Sequence, residues 1–243
     1  MKKQFLYSVV LFNLLFVVST YAQIAGPVNT GQNDEIAAGV VREINFVRSN
    51  PSAYAANLEA IKKFYRGNLY SVPGERRIQT FEGIAALDEA IQALRSAEPL
   101  PALTFSRGMS QAATDHVRDQ GEKGLVNHKG TDGSSAAARI NRYGNWLDGI
   151  GENINFGRYT PREIVIGFLI DDGVKSRGHR KNILKPAFSF IGTASGTHAK
   201  HGVMTVVDFA DEYYESQPVQ TAFSLQKAVL ITEQVGKRSN RQK

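Results

Sequence analysis

The sequence predicts an α+β layered domain, on three observations. Apolar residues recur at helical spacing in several separate windows before residue 171. Two strand-like runs, "AFSFIGTASG" and "HGVMTVVDFA", follow as an antiparallel hairpin. No internal repeat and no long low-complexity stretch interrupts that order. Helices followed by antiparallel strands bury their apolar faces most simply as layers around one core.

Residues 34–49 carry Ile36, Val40, Ile44 and Val47 on one stripe, and Asn50-Pro51 stops that helix. "SAYAANLEAIKKFY" reads as a second helix, and "RGNLYSVPGERRIQT", rich in turn residues, as a loop or short hairpin. Residues 82–96 return to helix through Ile84, Leu87, Ile91 and Leu94, and end before Pro99 and Pro101. Ser106 is suited to cap a helix with Met109, Ala112, Ala113, His116 and Val117 on one face. "NHKGTDGSS" is a glycine-rich turn, Ser135 to Tyr143 a short helix, and "GIGENINFG" a strand. Thr160-Pro161-Arg162-Glu163 has the form of a capping box with proline at the first helical position. The helix it opens is expected to reach about Asp171 and to stop at Gly173.

The N-terminus reads as an export signal over residues 1–22. Lys2 and Lys3 precede an apolar run from Phe5 to Val18, and small residues suit cleavage after Ala22. The run is shorter than the roughly 20 residues of a membrane span, and an uncleaved anchor is the competing reading. The mature chain is expected to be secreted or periplasmic, without a transmembrane segment. It has no cysteine, which excludes disulfides, a thiol nucleophile and a thiolate zinc site. Of the net charge of +6, Lys2 and Lys3 supply two, and residues 227–243, with five cations and one acid, supply four. The body is therefore near neutral. A short basic tail without aromatics does not predict specific nucleic-acid binding, although it could attract the chain to an anionic surface.

Two places raise a chemical question. Asp171 and Asp172 fall in the last turn of a helix, where the dipole disfavours acids by about 0.3–1 kcal/mol each. Lys175, Arg177, Arg180, a protonated His179 or a metal ion could compensate. A plain ion pair with Arg177 is the simpler alternative. Glu152 shares a strand face with Ile150, Ile154 and Phe156, so it is protonated, partnered, or on an edge that reaches water. His116 reads as a packed core histidine, and His198 and His201, flanking a turn, as exposed. His128 and His179 stand beside glycine-containing turns, where functional groups are often placed. No H-E-x-x-H, G-x-S-x-G or P-loop occurs.

The ordered segments "AATDHVRDQG", "NHKGTDGSSAAARINRYG", "GENI", "DDGVKSRGHRKNILKPAFSFIG" and "VVDFA" resemble the CAP superfamily of cysteine-rich secretory, antigen 5 and pathogenesis-related 1 proteins, in its bacterial cysteine-free form. The resemblance implies a three-layer α-β-α sandwich over residues 34–210, with an N-terminal helical insertion at about 54–98 and an extension over 211–243. It implies a cleft lined by His128, Glu152, Asp171 and His179, with Asp172 as the neighbouring alternative acid. Such a set suits a divalent cation, zinc first, and calls for no nucleotide or organic cofactor. Without metal the same groups could form acid–imidazole pairs. Asn153, Asp172, Arg180 and Asn182 are expected to support the site, Asn153 by orienting a neighbouring loop and Asn182 by capping the turn after His179. Arg139 is expected to pack and form ion pairs. The implied function is a secreted binding or interaction domain, with an extracellular or envelope partner or a small apolar or lipid ligand. A metal-dependent peptidase or esterase and a lipid or sterol carrier are the alternatives.

Overall fold

The computed structural model describes residues 30–74 and 77–216. The expected export signal at 1–22 and the basic tail lie outside the described residues. In chain order the elements are α1 (Thr30–Ser49), α2 (Pro51–Ile61), a 3-10 turn (Lys62–Phe64), β1 (Tyr65–Arg66), β2 (Leu69–Tyr70), β3 (Ile78–Gln79), α3 (Ile84–Ser96), β4 (Thr104–Phe105), α4 (Arg107–Gly121), α5 (Ala136–Ile140), β5 (Gly144–Phe156), α6 (Pro161–Ile170), α7 (Gly178–Ile183), β6 (Phe190–His198) and β7 (Gly202–Glu215).

The main sheet runs β4-β6-β7-β5. β7 pairs antiparallel with both β5 and β6, while the short β4 pairs parallel with β6. Strand period two then sorts the side chains into two cores. On one face Ile154, Ala194, Met204 and Val206 pack with Ala113 and Val117 of α4, and Ala210 packs with Met109, Ala112 and Ile140. On the other face Ile191, Val207 and Phe209 join a larger core with Ile44, Leu87 and Phe168. The result is a three-layer α-β-α sandwich. α4 lies close on the sheet because β6 is bare beneath it: a Cβ on Gly192 would overlap Met109, and one on Gly196 would overlap Val117.

Capping reads through from the sequence. Ser106 Oγ accepts from the Met109 N–H at 3.1 Å, and Thr160 with Glu163 forms the reciprocal capping box that starts α6. Other expectations are corrected. β1, β2 and β3, two residues each, form a three-stranded antiparallel sheet, with Gly67 at a positive φ in the first turn. α6 does reach Asp171 as its cap, but the residue that stops it is Asp171 itself, left-handed at φ 55°, rather than Gly173. α5 stops at Ile140, because β5 begins at Gly144. The expected C-terminal extension starts inside a strand, since β7 continues to Glu215. His198 is buried rather than exposed. Its Nδ1 accepts from the N–H groups of Lys200 and His201, its Nε2 lies 2.9 Å from the Leu125 carbonyl, and its ring packs 5.1 Å from Phe156.

One long-range device ties these layers together. The Arg48 side chain at the end of α1 is almost wholly buried. It donates to the carbonyls of Pro101 (3.0 Å), Ile183 (2.9 Å), Lys185 (3.0 Å) and Phe188 (3.0 Å). Among the described residues no carboxylate pairs with it, and burial pushes its pKa down. Replacing Arg48 by alanine orphans four acceptors, three of them from the end of α7 and the segment after it. The expected cost is about 3 kcal/mol or more, read as a fall in thermal midpoint of roughly 6 °C or more.

Candidate functional site

The loop carrying His128 is braced from beneath. Thr131 N–H and Lys123 both reach Asp119, at 2.7 and 2.6 Å. The Gly130 N–H closes the turn onto the Ser134 carbonyl at 2.8 Å. Arg139 donates to the carbonyls of His128 (3.2 Å) and Ser134 (3.1 Å). The imidazole itself is exposed, and its Nδ1 lies 2.7 Å from Glu152 Oε1. Glu152 is the buried partner, with its side chain 4% exposed, and its Oε2 receives Arg139 at 2.5 Å. β5 is an edge strand, yet Glu152 does not reach water from it; a guanidinium and an imidazole take both oxygens.

The second pair answers the question of the paired aspartates. Asp171 caps α6, and its carboxylate turns toward the start of α7, where backbone N–H groups point outward. Oδ2 accepts from His179 N–H at 2.9 Å, and Oδ1 lies 2.6 Å from His179 Nδ1. The acid at one helix end thus serves the start of the next. Phe168 packs on the same imidazole, ring centroids 5.3 Å apart. The simple ion pair with Arg177 does not form. Arg177 donates to the Asp171 backbone carbonyl at 2.9 Å, and its charge is met by Glu82 and Glu89, each at 2.7 Å.

The expected supporting residues separate. Asn153, fully buried, donates to the His179 carbonyl at 3.1 Å and so ties β5 to the imidazole's backbone. Asn182 does not cap the turn; it donates to Asn153 Oδ1 at 2.8 Å and holds that amide in place. Arg180 donates to the Leu169 carbonyl at 3.0 Å and pairs with Glu89. Asp172 faces away from the imidazoles and accepts from the N–H groups of Phe81 and Glu82, both at 2.8 Å. It fastens the segment before α3 to the loop before α7.

The acid–imidazole pairs are therefore two separate units joined through Asn153. Among the described residues no group of three or more His, Cys, Asp or Glu is placed to hold a metal ion. Sequence reasoning missed Asp208. It stands opposite Glu152 in the β5–β7 register, is fully buried, and has neither oxygen hydrogen-bonded among the described residues. Burial, and then the charge of Glu152, push its carboxyl well above the usual carboxylate range. A lone acid within the apolar run "VVDFA" was the signal. His116 is a buried core residue; burial first and Arg139 second push its imidazole down.

Residues 89–209 match the family described as CAP, the cysteine-rich secretory protein family. A relative, "Uncharacterized protein YkwD" of Bacillus subtilis (strain 168), is 32% identical over 104 residues, which are 43% of this chain and 38% of that protein. The chain belongs to the CAP superfamily. A solved extracellular protein containing an SCP domain from Bacillus anthracis str. Ames aligns with a TM-score of 0.43 at 17% identity, over 77% of this chain and 45% of that one. A solved outer surface protein from Borrelia burgdorferi aligns with a TM-score of 0.39 at 19% identity, over 46% of this chain and 78% of that one. The chain thus spans about two fifths of YkwD's length. Among the described residues of this CAP protein no helix is long and apolar enough to cross a membrane.

Two titrations follow. The Arg177 guanidinium, with the Gly173 N–H second, holds the Glu82 carboxyl down to about 2. A depressed carboxyl stabilises above its unfolded pKa of roughly 4.3 and loses that contribution as pH falls toward the folded value. The thermal midpoint of Glu82→Gln should therefore decline less than that of the parent between about pH 5 and pH 2. Asp208 has the opposite sign: its raised carboxyl penalises the fold increasingly as pH rises above the unfolded value of roughly 3.9. Asp208→Asn is expected to melt higher than the parent at pH 7, with the gap closing toward about pH 4.

Proposed function

We propose that this chain is an exported binding domain whose cleft presents two carboxylate-oriented imidazoles to a ligand. The observation supporting this is the occupancy of the two acids. Glu152 and Asp171 each hold an imidazole by Nδ1 and spend their remaining oxygen on Arg139 or on backbone N–H. Neither carboxylate is left as a general base for water, so binding suits the geometry better than hydrolysis. Among the described residues neither Nε2 has a hydrogen-bond partner, and these are the atoms a ligand would meet.

A divalent ion such as zinc would be held by His128 and His179 through Nε2, with Glu152 and Asp171 fixing tautomer and ring orientation from behind. This replaces a shell of four direct protein ligands with two histidines and their orienting acids. When bound, the ion would supply Lewis acidity and positive charge to a ligand's oxygen. A small ligand with an apolar part has a place in the same loop: a hollow of about 350 Å³ is lined by Leu125 and Val126 together with the polar Gln120, Asn127, Lys129 and Thr131, on both sides of His128 in sequence. Leu125 and Val126 are exposed there. The partner we expect is extracellular or borne on the cell envelope.

Calorimetric zinc titration at neutral pH tests the ion. One-site binding should be seen in the parent, lost in His128→Ala and in His179→Ala, and weakened roughly 10- to 100-fold in Glu152→Gln. No heat in the parent removes the ion from the proposal. Turnover of a peptide or ester by the zinc-loaded parent, abolished by Glu152→Gln, would replace binding with hydrolysis.

A further inference from the structure

We propose a second binding site, independent of the imidazole cleft: a basic groove between α3 and α7 that takes a linear polyanion. The groove has a volume of about 650 Å³ and is lined by Lys175, Arg177, Arg180, Lys181 and Lys185, with Glu89 as the one carboxylate of that lining. Glu82 and Asp211 reach in from outside, at 2.7 Å from Arg177 and 3.8 Å from Lys185. Counting both, cations still outnumber acids five to three. Such an excess along a concave surface attracts anions from solution.

The cations divide into two kinds. Arg177 and Arg180 are fixed, their side chains 11% and 6% exposed and their forks spent on Glu82, Glu89 and backbone carbonyls. They shape the floor and have no fork to offer a single phosphate. Lys175 and Lys181 are exposed, and among the described residues neither forms an ion pair within 4.0 Å. Lys185 is half-exposed; its ammonium lies 3.8 Å from Asp211 and 4.2 Å from the centre of the Phe188 ring. Lysines are mobile point charges that accept phosphate, sulfate or carboxylate alike.

Their placement favours a chain over a compact ion. Lys175 precedes α7, Lys181 lies within it and Lys185 follows it, and six helical residues alone span about 9 Å. At about 100° per residue Lys181 lies some 200° around α7 from His179, on the side away from the imidazole. A polymer with oxyanions at regular spacing can meet the three ammonium groups in turn. The groove thus assigns a class of ligand, a linear chain of repeated phosphate or carboxylate groups.

Fluorescence anisotropy of the full chain with labelled polyphosphate and labelled polygalacturonate, at low salt, tests this. Saturable binding is expected, weakened about tenfold or more in Lys175→Glu/Lys181→Glu and by added salt, with the thermal midpoint of the variant unchanged. Binding of polyphosphate alone identifies a phosphate chain; binding of both identifies oxyanion spacing as what is read. No binding of either probe overturns the proposal, as does equal competition by orthophosphate at the same phosphate concentration. Loss in Lys237→Gln/Arg238→Gln/Arg241→Gln but not in the groove variant would move the interaction to the basic tail. Loss in His128→Ala alone would move it to the cleft. Either result overturns the groove.

Discussion

α7 is six residues long, far below the length at which a helix supports itself in water. Its place depends on buried charge at both ends. At the start, Asp171 accepts the His179 N–H and Arg177 donates to the carbonyls of Asp171 and Val174. At the finish, Arg48 gathers the carbonyls of Ile183, Lys185 and Phe188. His179 therefore sits on an element with little stability of its own and a position set by residues far away in the chain. This is how a side chain becomes precisely placed on a short helix: the scaffold bears the ordering cost of the imidazole.

β5 joins the two imidazoles through the simplest property of a strand. Glu152 and Asn153 are consecutive, so their side chains leave opposite faces. Glu152 meets His128 and Arg139 on the α4–α5 side, while Asn153 holds the His179 carbonyl on the α7 side. The charge balance behind them is also constrained. Glu152 and Asp208 face each other on adjacent strands, with Arg139 as the buried guanidinium serving that pair of acids. One buried cation serves two acids, and Asp208, which no hydrogen bond reaches among the described residues, is the one pushed up by burial and then by the charge of Glu152. Removing Arg139 would leave Glu152 as an uncompensated buried charge, which costs far more than the ion pair contributes.

Much of this was legible locally. Ser106, the Thr160–Glu163 capping box and the inward face of α4 follow from residues within a turn or two of one another. Glu152 and Asp171 stood out because each sits awkwardly in its own element, whereas His128 and His179 joined them through the family resemblance. What the sequence did not show depends on partners distant along the chain. Arg48 lies more than 130 residues before three of its acceptors, and Arg177 finds its acids 88 and 95 residues away. Spacing within the 171–184 segment made Arg177 look like the natural partner of its neighbouring aspartates. The fold instead supplied Glu82 and Glu89 from the start of α3 and the segment before it, whose docking no local pattern encodes. His198 misled for a related reason: a turn histidine is usually wet, but Phe156 and the Leu125 carbonyl arrive from elsewhere to bury it.

The segment from Phe81 to Glu89 is thereby part of the site's mechanics. Asp172 holds the backbone entering α3, and this segment returns two glutamates to the arginines that flank His179. The exchange has an electrostatic consequence. Because the arginines are neutralised from within, Asp171 is left to its imidazole and is not drawn into a competing ion pair. Because the glutamates are used up on the arginines, Lys175 and Lys181 are left without an ion pair among the described residues. One clamp therefore separates two environments across a single helical turn, an imidazole backed by a carboxylate on one side and the exposed, unpaired ammonium of Lys181 on the other.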